Sequence, residues 1–475
     1  MSFKNPVYLC SFSLDSINLK LVSKLKNYEI NTKTLVKVEK EYKNDTIYGV
    51  KIIYVKNYSS SLLKLSEKII LNNDIDILNK FYNSIHEEIN KKRLKRKFLC
   101  FVNPFGGFGD ALKTFQNNTS KIFTAFDIDY LLEITDGPDF ITEYFRDNDL
   151  SQYNSIISIG GDGLLNQILF NIYNTELSLN CINSLRNINL GIIPSGSTNA
   201  TIYTLNGNED ARTAAIRIGL GETLPVDIGG IYSNVKPHYL LGCFISLCGY
   251  GFHGDIIENS ENMRFLGPSR YDFAGLKNFF ENIHYSGRLR MFQSIEISSN
   301  NWDSSSNKLE FANVLDLNKM KEILENLNNL ENESENIKEV QGEFRAINAF
   351  NTSGKCKKAP NGVAPTIGHM EGLMDVIVVK RCTRFQFLRK LLYISKANFG
   401  SRNRDLPGHY RLPFVNVYRT RGFSFYPKMT DENSPVSGWC YDGELLNGRT
   451  GISCLIHPRL AEIYGGSDVS YFSKD

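Results

Sequence analysis

The chain has 475 residues, of which 42% are hydrophobic and 22% charged, a composition typical of a globular protein that can bury two or three cores. Its 54 Lys and Arg nearly balance its 51 Asp and Glu, so net charge gives no indication of nucleic-acid binding. The longest apolar stretch, 239–250, is shorter than the roughly 20 residues that cross a bilayer. With no secretory signal at the start and nine scattered cysteines, we expect a cytoplasmic protein without a transmembrane segment.

Residues 1–95 contain short strand-like runs, for example 48–55, followed by a segment with apolar residues at helical spacing. These residues are Ile75, Leu78, Phe81, Tyr82 and Ile85. The pattern predicts a small accessory module in which one helix closes several strands. The basic run at 91–97 that follows is either a solvated linker or a cluster that holds the protein against anionic lipid.

Residues 96–225 alternate apolar runs with helical patterns, which predicts a doubly wound α/β domain with a parallel sheet. We predict strands at 98–102, 130–134, 155–159 and 190–193, with helices in 113–126, 140–146, 164–173 and 211–218. Residues 226–475 are richer in strand patterns, at 240–246, 343–350, 375–379 and 414–418, and predict a mainly antiparallel β-sandwich domain. A polar insert at about 304–340 contains one short helical pattern at 320–327, and a second interruption lies at 430–437.

Three glycine-rich turns follow strands of the predicted parallel sheet, at 103–109, 160–163 and 194–199. Open parallel sheets bind ligands at the carboxyl ends of their strands, and glycines let backbone N–H groups approach a phosphate closely. The first turn is not a Walker A loop, because no Gly-Lys-Ser/Thr follows it. Each turn alone is explained equally well as a plain connection, and Asp162 as a helix cap. Together they predict a phosphate-binding crevice.

The same three turns resemble the signatures of the diacylglycerol-kinase catalytic-domain family, which includes the sphingosine and ceramide kinases. The run 249–277 resembles the ceramide kinases nearly position for position, as do shorter segments at 381–389, 414–419 and 440–444. The resemblance spans about 98–465. The first module resembles a shortened pleckstrin-homology domain, with Phe81 in place of the usual helix Trp.

This resemblance implies a lipid kinase that uses ATP and Mg²⁺. Asp162 would accept the proton of the lipid's primary hydroxyl as that oxygen attacks the γ-phosphorus. Arg264 and Arg270 would clamp the ATP phosphates. Asp442 and Glu444 would face Mg²⁺ or the phosphates, although a solvated hairpin tip explains them too. The implied nucleotide-binding residues are Asn103, Pro104, Phe105, Gly106, Gly107, Thr135, Gln167, Ser195, Gly196, Ser197, Arg264, Arg270, Asp442, Gly443 and Glu444. Gln167 stands where sphingosine kinases carry a Glu.

The implied lipid-binding residues are Gly160, Gly161, Asp162, Gly163, Asp255 and Ile257. Sphingosine kinases carry a carboxylate at the place of Ile257, and an isoleucine cannot stabilise the buried ammonium of sphingosine. We therefore expect ceramide, phosphorylated to ceramide 1-phosphate at a membrane surface with which the protein associates peripherally. The alternatives are a diacylglycerol kinase, a sphingosine or long-chain-base kinase, and an inactive lipid-binding homologue.

Two further segments bear on this resemblance. Ceramide kinases carry a cluster of closely spaced cysteines where this chain has only Cys356, a departure that weakens the substrate assignment. The basic amphipathic stretch 385–396 resembles a ceramide-kinase segment proposed to bind calmodulin, and a core helix is the alternative.

Overall fold

Two sheets organise the protein in the computed structural model, which describes residues 6–23, 25–59, 61–92, 96–178, 187–298, 317–329, 335–395, 406–428, 435–446 and 448–466. One sheet has six strands and belongs to the N-terminal module, and the other has 16 strands and runs through the rest of the chain. Within these ranges, no helix has both the length and the apolar character that crossing a bilayer requires.

The N-terminal module consists of six strands and one helix, as the sequence predicts. The strands are β1 (Val7–Leu14), β2 (Asn18–Ser23), β3 (Tyr28–Asn31), β4 (Leu35–Lys43), β5 (Thr46–Ser59) and β6 (Leu62–Leu71), in the order β3-β2-β1-β6-β5-β4. Helix α1 (Ile75–Lys92) buries Leu78, Phe81 and Ile85 against the sheet, whereas Ile75 stays exposed at its first turn. The likeness to a pleckstrin-homology domain stays a prediction.

The predicted α/β domain is confirmed, with a four-stranded parallel sheet in the order β8-β7-β9-β10. These strands are β7 (Lys97–Val102), β8 (Asp129–Ile134), β9 (Ser155–Gly160) and β10 (Asn189–Pro194). The helices are α2 (Ala111–Thr114), α3 (Ser120–Ala125), α4 (Phe140–Asp147), α5 (Asp162–Leu177), α6 (Ala200–Asn206) and α7 (Ala211–Leu220). The chain leaves β7 toward one side and reaches β9 on the other, so strand order reverses between them. Open sheets bind ligands at such a switch point.

The rest of the large sheet is mainly antiparallel, as predicted. Its strands are β11 (Thr223–Ser233), β12 (Leu240–Phe244), β13 (Leu247–Gly251), β14 (Tyr285–Phe292), β15 (Ile295–Ile297), β16 (Ile337–Phe350), β17 (Met374–Lys380), β18 (Val415–Thr420), β19 (Gly422–Pro427), β20 (Trp439–Tyr441), β21 (Glu444–Leu445) and β22 (Ile452–Tyr464). The helices are α8 (Phe252–Glu261), α9 (Arg270–Glu281), α10 (Leu317–Asn328) and α11 (Arg384–Ser395). Helix α10 contains the predicted helical pattern at 320–327. Residues 304–316, 330–334 and 430–434 of the two predicted interruptions lie outside the described residues.

Strand β22 joins the two parts of the large sheet. It pairs antiparallel with β11 and β19, and it also contacts β10 in parallel at Leu190 and Ile463. The N-terminal module packs on the α/β domain as well, because Leu63 of β6 belongs to the core of that domain and donates its backbone N–H to the Thr213 hydroxyl at 3.0 Å. The modules therefore share buried surface.

The described part of the basic run is engaged in local contacts. Lys91 and Lys92 pair with acidic residues one turn earlier on α1, and the Arg96 guanidinium donates to the carbonyls of Ile218 and Gly219. Residues 93–95 lie outside the described residues. Attachment of this run to anionic lipid stays a prediction.

Candidate active site

The turn after β7 is held in shape by its first residue. The Asn103 side-chain oxygen accepts the backbone N–H groups of Phe105 at 2.9 Å and Gly106 at 3.2 Å, the hydrogen-bonding pattern of an Asx turn. The Asn103 N–H donates to the Ile159 carbonyl of β9 at 3.1 Å. This turn is thereby fixed at the switch point between β7 and β9.

The three glycine-rich turns meet at close backbone distance. The Ser195 N–H donates to the Gly160 carbonyl at 2.8 Å, which joins the turns after β10 and β9. A Cβ added at Gly161 would lie 3.2 Å from the Gly196 Cα, and one added at Gly107 would collide with the Ser195 carbonyl oxygen. Gly107 also has a φ of 60°, which side-chain-bearing residues rarely adopt. Glycine is therefore required where these turns touch.

The hydroxyl groups predicted to bind nucleotide differ in exposure. Ser195 is buried and donates its hydroxyl to Asp110 at 2.7 Å. No sequence motif marks Asp110 as this acceptor. Thr135 is also buried, and its hydroxyl donates to the Val102 carbonyl at 3.3 Å. Ser197 is exposed at the open side of the turn. Of these three hydroxyls, that of Ser197 is thus the most accessible to a ligand.

Asp162 begins α5 and points its carboxylate at the start of α6. One carboxylate oxygen accepts the Ala200 N–H at 2.9 Å and the other accepts the Thr201 N–H at 3.0 Å. Burial raises the pKa of Asp162, and these two backbone hydrogen bonds oppose the rise. The result is a fixed carboxylate that binds a proton more readily than an ordinary aspartate.

A second carboxylate supports this arrangement and was missed by sequence reasoning. Glu209 accepts a hydrogen bond from the Asn199 side chain at 3.2 Å and forms an ion pair with Lys357. Asn199 in turn accepts the Gly196 N–H at 2.9 Å and has a φ of 51°. Because no motif marks Glu209, only the fold shows that it braces the turn leading to Ala200.

The hairpin at 442–444 reaches the Asp162 turn from the far end of the chain. Asp442 accepts the backbone N–H groups of three consecutive residues, 245–247, at 2.6, 2.9 and 2.9 Å, and the Asn166 side-chain amide at 3.3 Å. Burial raises the pKa of Asp442 to about 6, and the charge of Asp162 adds to the rise. A Cβ at Gly163 would collide with a carboxylate oxygen of Glu444, so the Glu444 carboxylate lies over Gly163. The structure therefore brings the Asp442 hairpin and the Asp162 turn together.

Asp255 lies in the first turn of α8, is buried, and has both side-chain oxygens engaged in hydrogen bonds. One accepts the Tyr285 hydroxyl at 2.7 Å and the other accepts the Ser437 hydroxyl at 2.6 Å. Burial raises the pKa of Asp255, and those hydrogen bonds together with the charge of Arg345 oppose the rise. Ile257 lies half-buried two residues later.

Three other predicted residues lie on different elements: Gln167 on α5, Arg264 in the turn before α9 and Arg270 at the start of α9. Arg270 stacks on the ring of the adjacent Tyr271 and pairs with Glu261, at the end of α8, at 3.6 Å. Arg264 lies in a 3₁₀ turn, Arg264–Ser269, and its side chain is outside the described residues. Gln167 follows Gly163 by one turn of α5 and is half-buried. A phosphate clamp by the two arginines stays a prediction.

A metal site made by protein side chains alone is not present in the part of the chain that the structure describes, since no three His, Cys, Asp or Glu residues are grouped to hold an ion. The Asp442 oxygens already accept four N–H groups. Glu444 is exposed, and its carboxylate lies over Gly163 in the turn at 160–163. Magnesium keeps several waters and commonly binds through one or two carboxylates together with substrate phosphates, so these residues fit a shared site with bound nucleotide.

Comparison with known proteins shows which families the chain matches. The family described as "Diacylglycerol kinase catalytic domain" matches residues 97–231, and the one described as "Ceramide kinase C-terminal domain" matches residues 247–471. The chain is 30% identical to a Homo sapiens ceramide kinase over 426 residues, covering 80% of this chain and 76% of that protein. It is 31% identical to a Mus musculus ceramide kinase over 410 residues, covering 78% of this chain and 74% of that protein.

Two more distant matches follow, one by sequence and one by structure. An Arabidopsis thaliana protein named sphingosine kinase 1 is 24% identical over 387 residues, covering 78% of this chain and 73% of that protein. A solved structure, "A putative diacylglycerol kinase from Bacillus anthracis str. Sterne", superposes with a TM-score of 0.50 at 16% identity, covering 80% of this chain and 100% of that one. The fold of this chain is thus similar to the fold of that solved structure.

Proposed function

Because this chain belongs to the ceramide kinase family and is a lipid kinase, we propose that it transfers the γ-phosphoryl group of ATP to the primary hydroxyl of ceramide. The observation that carries the proposal is the position of Asp162, a fixed carboxylate of raised pKa where the glycine-rich turns of three parallel strands meet. Such a crevice suits phosphoryl transfer, in which positioning and electrostatic stabilisation do most of the work.

Asp162 accepts the proton of the attacking hydroxyl in this proposal. Each of its oxygens accepts only one backbone N–H, and an ionised carboxylate has about four acceptor positions, so capacity remains for the substrate hydroxyl. Its raised pKa makes it a better base near neutral pH than an ordinary aspartate. Glu209 accepts a hydrogen bond from Asn199, the residue before α6, and so keeps the N–H groups at the start of α6 directed at the Asp162 carboxylate.

The glycine-rich turns bind the ATP phosphates through backbone N–H groups, which glycine leaves accessible. Mg²⁺ neutralises phosphate charge during transfer when it is bound. Glu444 would hold it together with the nucleotide, while Asp442 acts mainly by fixing residues 245–247 beside the site.

A neutral lipid head group fits the residues near Asp255 better than an ammonium does. Both Asp255 oxygens already accept hydroxyl protons, and Ile257 offers no charge to a cation. A buried ammonium without a partner is strongly unfavourable. Ceramide and diacylglycerol both meet this condition, and the ceramide kinase names of the relatives favour ceramide.

A direct phosphorylation assay tests the substrate. With radiolabelled ATP and a panel of lipids, we expect the turnover rate to fall from ceramide to diacylglycerol to sphingosine. The Ile257→Asp variant should gain activity on sphingosine relative to ceramide, because it supplies a partner for the ammonium. Sphingosine as the preferred substrate of the wild type would contradict the proposal. No transfer to any lipid would favour an inactive lipid-binding homologue.

A further inference from the structure

The outer face of α11 carries apolar side chains that are exposed in the part of the chain that the structure describes. Phe385 is 83% exposed, and Leu388 and Leu392 are exposed at 39% and 47%. Their spacing of three and four residues places them in one line along the helix. On the opposite side of α11, Phe387 is buried, and its ring centroid lies 4.7 Å from that of Phe252. Helix α11 is therefore a core helix whose solvent side is also apolar, which is typical of an interaction surface.

A second apolar line lies on the neighbouring helix α9. Phe273, Leu276 and Phe280 are each between 55% and 56% exposed and are again spaced by three and four residues. The end of α9 adjoins the start of α11, because the Asn282 side chain donates to the Cys382 carbonyl at 3.4 Å. Two exposed apolar lines thus occur on helices that meet.

The charges of α11 select one kind of partner. The helix contains no Asp or Glu, and exposed Arg384 and Arg389 lie beside the apolar line. A basic helix with an apolar stripe fits the interface of an anionic bilayer, where aromatic and aliphatic side chains enter the acyl boundary and arginines meet lipid phosphates. We propose that the exposed face of α11, with the adjoining line on α9, docks the protein on an anionic membrane.

The packing of α11 also favours a flat surface over a protein that encloses a helix. Lys390 and Phe387 are almost completely buried on its inner side, so only the outer side is accessible. A partner of the calmodulin type, which receives a helix in a groove, would compete with those core contacts. A bilayer needs only the exposed line. The docking rests on the proposed function only in that a lipid kinase meets its substrate in a membrane.

Sedimentation of the full chain with vesicles tests this inference without ATP or ceramide. We expect binding to phosphatidylcholine vesicles that contain phosphatidylserine, weaker binding to phosphatidylcholine alone, and release by salt. The variant Phe385→Gln/Leu388→Gln/Leu392→Gln should bind at least about tenfold more weakly, because three apolar side chains no longer enter the bilayer. The matched control Val235→Gln/Tyr239→Gln changes two exposed apolar residues elsewhere and should bind like the wild type.

A kinase assay on a short-chain, water-soluble lipid shows that the triple variant is folded. We expect the variant to match the wild type on this substrate and to lose activity on vesicle-held lipid in proportion to its lost binding. Undiminished vesicle binding by the triple variant would overturn the proposal. A separate binding assay with Ca²⁺-calmodulin gives a second test: if the triple variant loses calmodulin binding and keeps vesicle binding, the proposal is also wrong. If the wild type phosphorylates no lipid but still needs α11 to bind vesicles, docking stands and the proposed function fails.

Discussion

Asp162 accepts two backbone N–H groups at the start of α6, and in the proposed function it is also the base that accepts the substrate's hydroxyl proton. We predict that Asp162→Asn lowers the turnover rate by at least about 10²-fold, because an amide cannot accept the hydroxyl proton. The Asn side chain keeps only one oxygen to accept an N–H of α6, so a small loss of stability is also expected. ATP affinity, measured by calorimetry, should stay within about threefold of the wild type, because the phosphate-binding turns do not depend on the Asp162 charge.

A matched variant separates the two roles. Asp210 caps α7 by accepting the Thr213 N–H at 2.8 Å, and it carries no predicted chemical role. Asp210→Asn should therefore lose some stability and keep its turnover rate. If both variants lose activity equally, the role of Asp162 is only that of a helix cap.

At this scale the sequence predicted residues that belong to motifs and missed those that support them. Asp162 and Asp442 were singled out from motifs 280 residues apart, and the structure brings their hairpin and turn together. Glu209, Asp110 and Asn166 contact predicted residues through side-chain hydrogen bonds. Glutamate, aspartate and asparagine are common on protein surfaces, so no local pattern distinguishes these three from solvated residues.

The glycine-rich turns after β7, β9 and β10 pack against one another so closely that a side chain on one turn would collide with its neighbour. A Cβ at Gly196 would lie 2.4 Å from the Gly161 Cα and 2.9 Å from the Asn199 side-chain oxygen, both too close for a real Cβ. We therefore predict that Gly196→Ala separates the turns after β9 and β10 and lowers ATP affinity at least about tenfold, measured by calorimetry. Gly137→Ala, after β8, meets no atom within 4 Å and should bind ATP normally. Equal affinities in both variants would show that close contact of the turns is not needed.

Among the elements, buried parallel strands were the easiest to predict. Strands β7 to β10 begin and end within one residue of their predicted limits. Strands β7, β9 and β10 were easy to find because a strand covered on both faces is a continuous apolar run, whereas β8 is an edge strand with mostly exposed residues. Helices α8 and α9 were not predicted, although the run 249–277 was recognised by its motif. The apolar residues of α9, Phe273, Leu276 and Phe280, are spaced by three and four residues, so the helical pattern was present in the sequence and was missed. Its exposed apolar residues reflect an interaction surface rather than the core.

At the scale of the whole molecule, a buried polar contact links the α/β domain to the antiparallel sheet. Tyr232 of β11 donates its hydroxyl proton to the Leu177 carbonyl at the end of α5, at 2.6 Å. His457 of β22 lies 2.7 Å from the same hydroxyl through Nε2. Because Tyr232 has one proton to donate, His457 must donate its Nε2–H to the Tyr232 oxygen. Strand β22 thus returns to the α/β domain more than 200 residues after β11, and the domain boundary near residue 225 stays a prediction.

The His457 contact predicts how the whole fold responds to acid. Burial lowers the pKa of His457 to about 3, whereas in the unfolded chain it is near 6.5. The unfolded state therefore binds more protons below pH 6.5, and stability present above that pH is lost as the pH falls toward 3, by about 1.4 kcal/mol for each pH unit. His457→Gln, which keeps a donor for Tyr232, should show a smaller drop in melting temperature between about pH 7 and pH 5. The control is His86→Gln, a change at an exposed histidine, and its melting temperature should follow that of the wild type. An identical drop in melting temperature in all three proteins would mean that His457 protonates without unfolding the chain.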